Sequence, residues 1–369
     1  MNEKDTSWWD FHSNQPYKLP DHKKPRSSWL NIKEYLTVGA TAAVVSPLIL
    51  WRYMSVKPLV PKPVPTEFIG LSVSPNEQYK GAIIEMVDEL GVQELLLRVP
   101  TWDIERIDYY VEFARQFPKH RFLINVLQNH DSVARPDEWA KHLRIIFREF
   151  SSLTKNFQIG NAINRSKWGC AHSGEYLHLL DIAQRVKQEF DGINLLGSSV
   201  IDFEPLVTLR TLVNGHEYHL YACASQLYVN RRGSPYGKQY GFFNLERKIR
   251  LIYSILSLAN RSGKRLWITE TNWPLLNTKP WTPNSGHPRS TVDEKTQAEY
   301  LEQYYQIAWN SGFVEKVYWW QLINPGYGLV DHRSGRLRKH PSYYAFKDLF
   351  DGIDLPNQRT TRVVTLSDK

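Results

Sequence analysis

The sequence predicts a (β/α)8 barrel preceded by one apolar helix. From residue 68 onward, short apolar runs alternate eight times with longer amphipathic runs, which is the pattern of a parallel sheet wrapped by helices. Polar residues come after the apolar runs, and the functional groups of such barrels lie at the carboxyl ends of the strands. An uncharged stretch of seventeen residues lies between Glu34 and Arg52, near the lower limit for a membrane-spanning helix.

The N-terminal part is predicted to contain a polar segment at 1–34, a transmembrane helix at 35–55 and a proline-rich linker at 56–67. A signal-peptide core and a buried soluble helix are the alternatives for the apolar stretch. The 34 residues that precede it, and the lack of a small-residue cleavage pattern after it, favour an anchor. Basic residues lie on both sides of the stretch, so the positive-inside bias is weak. We expect a single-pass inner-membrane protein with its barrel on the periplasmic or extracellular side.

The barrel is predicted to span residues 68–350, with a tail at 351–369. Its strands are FIGLSVS, ELLLRVP, RFLINVL, FQIGNAI, NLLGSSV, HLYACASQLY, RLWITET and VYWWQLI. The segments between them carry apolar residues three and four apart, which predicts amphipathic helices; PLVTLRTLV, after the fifth strand, is a short helix at best. An open doubly wound sheet is the alternative, but no glycine-rich phosphate loop comes after the first strand.

Composition narrows the function classes. The net charge is +8, but the 46 Lys and Arg are scattered among 38 Asp and Glu, which argues against a nucleic-acid stripe. Only Cys170 and Cys223 are present, and no His or Cys cluster with ligand spacing accompanies them, so neither a disulfide framework nor a metal or organic cofactor is indicated. The 13 Trp and 20 Tyr leave aromatic rings available to stack on flat ligands such as sugars.

Polar or aromatic side chains come at the ends of all eight predicted strands, which is hard to explain without a functional site at that rim. In strand order they are Ser74 and Asn76, Arg98, Gln128 to Asp131, Asn161 and Asn164, Asp202 and Glu204, Gln226 and Tyr228, Glu270 and Asn272, and Trp319 to Gln321.

Over most of residues 68 to 348 this ordered set resembles clan A of the retaining glycoside hydrolases, in its branch of β-xylosidases and exopolysaccharide hydrolases. RVP at Arg98 is similar to the clan's second strand, GNAIN at 160–164 to its fourth, and ITETNWP at Glu270 to its seventh. The resemblance implies that Glu270 is the nucleophile. It also implies that Trp319 or Trp320 in VYWWQLI forms the floor of the sugar site.

Two departures from that family bear on the chemistry. Ala162 stands where the family has its acid/base Glu, and Gln226-Leu227-Tyr228 replaces a His-x-Tyr pattern. Loss of a general acid removes a factor of about 10² to 10⁴ in rate. Three interpretations remain: Glu204 or Asp131 replaces the acid, the leaving group needs little acid help, or the barrel binds glycan without turnover.

The remaining candidates are substrate-binding residues. Arg98 is expected to keep Glu270 ionised, although the two would also form a plain structural ion pair, and Tyr228 is expected to aim the carboxylate. Trp281 lies on a long loop, 273–293, whose length is typical of a lid over the rim of the barrel. The further polar candidates are Asn161, Gln226 and Asn272. Basic residues at 165, 167, 231 and 232 suggest an anionic glycan.

The sequence therefore predicts a membrane-anchored glycoside hydrolase or transglycosidase that acts on a surface polysaccharide or exopolysaccharide with Glu270 as nucleophile and Glu204 as a candidate acid. The alternative is a catalytically degenerate barrel that binds an oligosaccharide or scaffolds polysaccharide assembly.

Overall fold

A computed structural model describes residues 7–17, 29–59, 61–282 and 290–353 of the chain. Two short strands, β1 (Trp9–Asp10) and β2 (Gln15–Pro16), pair antiparallel as a hairpin and precede helix α1 (Trp29–Ser55). The predicted (β/α)8 barrel is confirmed: eight parallel strands close on themselves in the order β10-β3-β4-β5-β6-β7-β8-β9. These strands are β3 (Ile69–Val73), β4 (Glu94–Pro100), β5 (Arg121–Leu127), β6 (Asn156–Ile159), β7 (Asn194–Ile201), β8 (Ala222–Gln226), β9 (Leu266–Thr271) and β10 (Lys316–Trp319).

Helices connect the strands around the outside of the barrel. They are α2 (Pro65–Phe68), α3 (Lys80–Leu90), α4 (Ile107–Arg115), α5 (His130–Ala134), α6 (Pro136–Phe150), α7 (Ser173–Lys187), α8 (Pro205–Leu212), α9 (Leu245–Leu258), α10 (Glu294–Ser311) and α11 (Pro341–Gly352). A second hairpin, β11 (Val330–Asp331) with β12 (Arg338–Lys339), lies between β10 and α11. The short segment PLVTLRTLV forms α8, as predicted.

Both faces of the sheet are buried, which explains why the strands read as continuous apolar runs. Leu96, Leu123, Leu196, Trp267 and Tyr318 fill the interior of the barrel. The alternate residues face the surrounding helices and join the large core between sheet and helices, as the period of two in a strand requires. Pairing of β10 with β3 aligns Val317 with Ile69 and closes the barrel.

The N-terminal part of the chain lies against the barrel. Helix α1 packs along α8 and α9, and the β1–β2 hairpin lies on the rim at the carboxyl ends of the strands, where Trp9 is buried. The segment 31–55 is apolar and long enough to cross a membrane, with a mean hydropathy of 1.3. The segment predicted as a separate polar region at 1–34 thus contributes residues 7–17 to the rim and begins α1 at Trp29.

Four expected segments fall partly outside the described residues, and the N-terminal polar segment lacks 1–6 and 18–28. The proline-rich linker contains α2 and is described except for residue 60, the lid loop lacks 283–289, and the tail is described only to residue 353.

Candidate active site

Glu270 lies at the rim of the barrel because it is the next-to-last residue of β9, at the carboxyl end of that strand. Its side chain is 7% exposed. One oxygen, Oε2, accepts hydrogen bonds from Arg98 Nη2 and from Gln226 Nε2, the latter at 2.8 Å. The other, Oε1, accepts a hydrogen bond from the Tyr228 hydroxyl. Three donors from the ends of two strands, β4 and β8, therefore fix the orientation of this carboxylate.

Asn161 links the donors of this cluster. Its Oδ1 accepts hydrogen bonds from Gln226 Nε2 at 2.5 Å, from Asn125 Nδ2 at 3.1 Å and from Arg98 Nη2 at 3.5 Å. Gly160, with φ of +80°, makes the turn out of β6 that presents Asn161, and a Cβ at this glycine would lie 2.9 Å from the Tyr176 ring. Only glycine suits both the space and the backbone angle.

Tyr228 keeps its proton at neutral pH. Burial, followed by the charge of the adjacent Glu270, raises the pKa of Tyr228 well above its usual value. Its hydroxyl therefore remains a donor to the carboxylate rather than becoming a second anion. The Arg232 guanidinium lies over the face of the Tyr228 ring, 3.0 Å from its centroid.

The end of β10 supplies an aromatic surface beside Glu270. The guanidinium of Arg98 lies 3.4 Å from the centroid of the Trp320 ring, and Trp320 lines the cleft. Asn272, which also lines the cleft, donates to the carbonyl of Trp320 at 2.9 Å. Trp319, the preceding residue, is fully buried and packs against Trp273, with ring centroids 6.1 Å apart. Of the two predicted tryptophans, Trp320 is thus in the cleft and Trp319 in the core.

Ala162 does not face open solvent. It is fully buried and packs with Leu127, Trp9 and Trp168. Its φ is +46°, in the left-handed region that side chains rarely adopt, and its N–H donates to Gln226 Oε1 at 2.7 Å. Ala162, the position predicted to correspond to the family's acid, therefore lies in one cluster with a tryptophan of the N-terminal hairpin.

The hairpin is tied to the rim by polar contacts. Arg98 Nη1 donates to the carbonyl of Asn14 at 3.3 Å, and Asn324 Nδ2 donates to the carbonyl of His12 at 3.0 Å. The Tyr327 hydroxyl donates to the carbonyl of Ser13. One guanidinium, that of Arg98, thus contacts both the hairpin and Glu270.

Aromatic packing completes this attachment. Trp9 lies between Trp102 and Trp168, at centroid distances of 4.9 and 5.7 Å, and Trp8 packs on Trp102 at 4.8 Å. Trp102 and Trp168, which follow the second and fourth barrel strands, therefore stack on the protein's own hairpin.

Glu204, the predicted replacement acid, is ion-paired. Arg165 Nη1 lies 2.5 Å from Glu204 Oε1, and Arg165 Nη2 lies 2.7 Å from Asp202 Oδ2. Arg232 adds a second cation 3.6 Å from Asp202. The predicted replacement acid is therefore engaged in an ion pair with Arg165. Asp131, the other alternative, is two-thirds exposed and pairs with Arg135 on its own helix.

Lys167 is a titratable group at the cleft that the sequence analysis did not single out as a catalytic residue. It lies in the loop after β6, five residues beyond Ala162, and its Nζ donates to Gln15 Oε1 of the hairpin at 2.6 Å. Burial lowers the pKa of Lys167 to about 8, with the charge of Glu270 acting in the opposite direction. Among the described residues no carboxylate forms an ion pair with it, in contrast to Arg98 and Arg165.

The open part of the site is a cleft of about 1310 Å³. Glu270, Tyr228 and Trp320 form its floor, and Arg165, Asp202 and Glu204 lie farther along it. Trp281 does not line the cleft; its ring packs against His12 and His332 at 5.4 and 6.1 Å. This volume is large enough for several sugar units.

Sequence reasoning missed the hairpin because its strands are two residues long and its partners are distant in the chain. The pair Trp8-Trp9, in an otherwise polar segment, was the available signal: two adjacent large aromatic rings in a short polar stretch call for a packing partner.

Neither a protein-family profile nor a curated protein matches this chain. Solved structures do. The chain is similar to a family 39 glycoside hydrolase from the gut symbiont Bacteroides cellulosilyticus WH2, with a TM-score of 0.58 and 14% identity over 80% of this chain; the match spans 66% of that protein, just under two thirds of it. It is also similar to the family 1 β-glucosidase from Thermotoga maritima, with a TM-score of 0.56 and 12% identity, over 82% of this chain and 100% of that one.

At these identities the similarity establishes the fold. The chain has a glycoside-hydrolase-like barrel, and the structures similar to it are glycosidases.

Proposed function

We propose that the protein is a glycoside hydrolase or transglycosidase that acts on a surface polysaccharide or exopolysaccharide, with Glu270 as nucleophile. The observation that carries the proposal is the fixed orientation of Glu270 by Arg98, Gln226 and Tyr228 at the floor of an aromatic-lined cleft. A nucleophilic carboxylate must be ionised and aimed, and Arg98 supports the first while the neutral Tyr228 supports the second.

Lys167 is the proton donor in this proposal. It lies on the loop from which the resembling family draws its acid, and with a pKa of about 8 it is largely protonated at neutral pH. An ordinary lysine, with a pKa near 10.4, gives up its proton far less readily.

Atoms and charges balance in both steps of the reaction. A carboxylate oxygen of Glu270 forms a bond to the anomeric carbon, the bond from that carbon to the leaving oxygen breaks, and the leaving oxygen takes a proton from the Lys167 ammonium. Water, or an acceptor hydroxyl in transglycosylation, then attacks the anomeric carbon. Its proton passes to the neutral Lys167 amine, and the Glu270 carboxylate is released.

The test compares leaving groups in a panel of aryl and alkyl β-glycosides. Lys167→Met should lower kcat/KM by about 10² to 10⁴-fold for alkyl glycosides and change it little for nitrophenyl glycosides. Lys167→Arg is the matched control, because arginine keeps the positive charge but does not give up its proton. Its kcat/KM values should resemble those of Lys167→Met. In the wild type, kcat/KM for alkyl glycosides should fall as the pH rises through about 8, because the donor loses its proton.

Glu270→Gln should abolish turnover of both substrate kinds. A wild type active on alkyl glycosides and unaffected by Lys167→Met would reject Lys167 as the donor. Turnover that survives Glu270→Gln would reject the nucleophile.

A glycan-binding protein without turnover is the second candidate. Two observations favour this candidate: Ala162 is buried in a cluster with Trp9, and Asp202 and Glu204 are held in ion pairs. Neither observation provides a carboxylic acid beside Glu270. This candidate predicts that wild type and Glu270→Gln bind the same oligosaccharides in calorimetry and that neither cleaves any glycoside of the panel.

A further inference from the structure

Helix α1 contacts the barrel along its whole length. Near its start, Glu34 forms a two-point ion pair with Arg210 of α8, at 2.8 and 3.1 Å. Near its end, Ile49 is buried in the main core. Just beyond it, the Leu59 N–H donates to the carbonyl of Gly312 at 2.7 Å. Between these ends, Ala42 and Val45 also pack on the main core, so with Ile49 the residues that face the barrel are three and four apart, as in an amphipathic helix.

The neighbours of α1 are incompatible with the hydrocarbon core of a bilayer. Helix α9 carries Glu246, Arg247, Lys248 and Arg250 in its first two turns, and Arg250 lies 5.6 Å from the ring centroid of Tyr53 on α1. Charged side chains cost several kcal/mol each in the hydrocarbon core of a bilayer. As long as α1 stays packed against α9, it cannot be surrounded by lipid.

The hairpin gives a second, independent constraint. Residues 7–17 lie on the rim of the barrel, and Arg98 Nη1 donates to Asn14 within the candidate active site. A helix that crossed a bilayer would place the hairpin before it and the barrel after it on opposite sides. The connecting sequence 18–28, with Lys18, Asp21, Lys23, Lys24 and Arg26, has too many charges to return through the lipid.

The face of α1 that points away from the barrel is apolar and uncovered. Val44 is 76% exposed, Leu48 53% and Trp51 58%, and no charged residue occurs from Tyr35 to Trp51. Exposed apolar surface of this extent marks an interaction site. Basic residues flank the run at Lys33, Arg52 and Lys57, and their charge suits anionic lipid headgroups.

We propose that α1 lies on the surface of an anionic bilayer and does not cross it, so that the N-terminal hairpin and the barrel are on the same side of the membrane. The outward side chains enter the boundary between headgroups and acyl chains, as in monotopic proteins. This proposal does not depend on the catalytic activity.

Cysteine labelling tests the sidedness. The only native cysteines, Cys170 and Cys223, are buried free thiols, which keeps the background low. Phe11→Cys reports on the hairpin, where Phe11 is 71% exposed, and Tyr344→Cys reports on the barrel, where Tyr344 is 54% exposed. Each full-length variant is expressed in bacterial cells, and spheroplasts are treated with a membrane-impermeant maleimide before and after permeabilisation. Both cysteines should react from the same side.

Vesicle binding tests whether lipid covers the apolar face of α1. The full-length chain is sedimented with vesicles of phosphatidylcholine containing phosphatidylglycerol and with phosphatidylcholine alone. Val44→Glu with Leu48→Glu should weaken binding at least about 10-fold, since two exposed side chains would no longer enter the lipid. Tyr344→Glu, an exposed aromatic replaced elsewhere on the surface, is the matched control and should bind as the wild type does.

Two results would overturn the proposal. Reaction of the two cysteines from opposite sides would show that α1 spans the membrane. Same-sided reaction without vesicle binding, or with binding unchanged in the α1 double variant, would show that lipid does not cover this face.

Discussion

Arg98 contacts several separate parts of the candidate active site at once. It contacts Glu270 and Asn161 through one nitrogen, the hairpin through the other, and the ring of Trp320 through its flat face. Its planar guanidinium makes these contacts possible together, and lysine has no equivalent geometry. Arg98 thus links the Glu270 carboxylate to the docked N-terminal hairpin.

Arg98→Ala should destabilise the fold by about 3 to 5 kcal/mol, because it leaves the Glu270 carboxylate buried without its cation. The double variant Arg98→Ala with Glu270→Gln should recover part of this loss, because the remaining amide carries no charge. Urea unfolding of the four chains in this cycle measures the coupling. Strictly additive effects would show that the ion pair contributes nothing to stability.

Ala162→Glu tests the covered acid position. We expect it to destabilise the chain by about 2 to 4 kcal/mol without producing activity, since the residue has positive φ and its side chain packs against Trp9 and Trp168. Adding Trp9→Ala to Ala162→Glu should relieve part of the cost by giving the carboxylate access to water. Thermal unfolding of Ala162→Glu and of the double variant measures both effects, with Ala162→Ser as control. A gain of hydrolysis in Ala162→Glu alone would contradict the prediction.

At the scale of elements, the β11–β12 hairpin is held to the first turn of α10 by ion pairs. Arg338 on β12 contacts Glu294 at 2.7 and 2.9 Å and Asp331 at 3.3 Å. The hydrogen bonds from Arg338 are the main cause that lowers the pKa of Glu294 to about 2. Asp331, in turn, is fixed by Arg333 at 2.8 Å. This network attaches the segment after β10 to the helix that precedes it.

The lowered pKa of Glu294 implies a pH dependence with a defined sign. A carboxylate whose folded pKa lies below its unfolded value, about 4.3, contributes stability above that value, and the contribution is lost as the pH falls towards about 2. Arg338→Ala should therefore lower the melting temperature at pH 7 and have a much smaller effect near pH 2. An equal effect at both values would mean that Arg338 acts by packing alone.

At the scale of the whole molecule, the barrel was predictable from sequence, but the N-terminal hairpin that packs on its rim was not. Each of the eight apolar runs overlaps a barrel strand, because strands buried on both faces read as continuous Val, Ile and Leu. Glu270 and Arg98 could be singled out because they lie near the carboxyl ends of such strands. The hairpin was missed because two-residue strands leave no periodic pattern, and Lys167 was named only as a surface charge because burial cannot be read from one basic run.

Deleting residues 1–66 should leave the barrel folded, because all eight strands lie between Ile69 and Trp319. Unlike a simple anchor, however, the deleted part covers Trp102 and Trp168 and contacts Arg98. We expect a loss of about 3 to 5 kcal/mol, comparable to removal of a buried tryptophan, measured by urea unfolding against the full chain. An unfolded fragment would show that α1 is required for the barrel itself.

The contacts of the hairpin also set an order of events during synthesis. Ser13 and His12 are translated more than 300 residues before their partners Tyr327 and Asn324. Closing so long a stretch of chain is slow compared with local pairing. The last barrel strand must be made before these two contacts can form, so the hairpin takes its final place only after all eight barrel strands have been made.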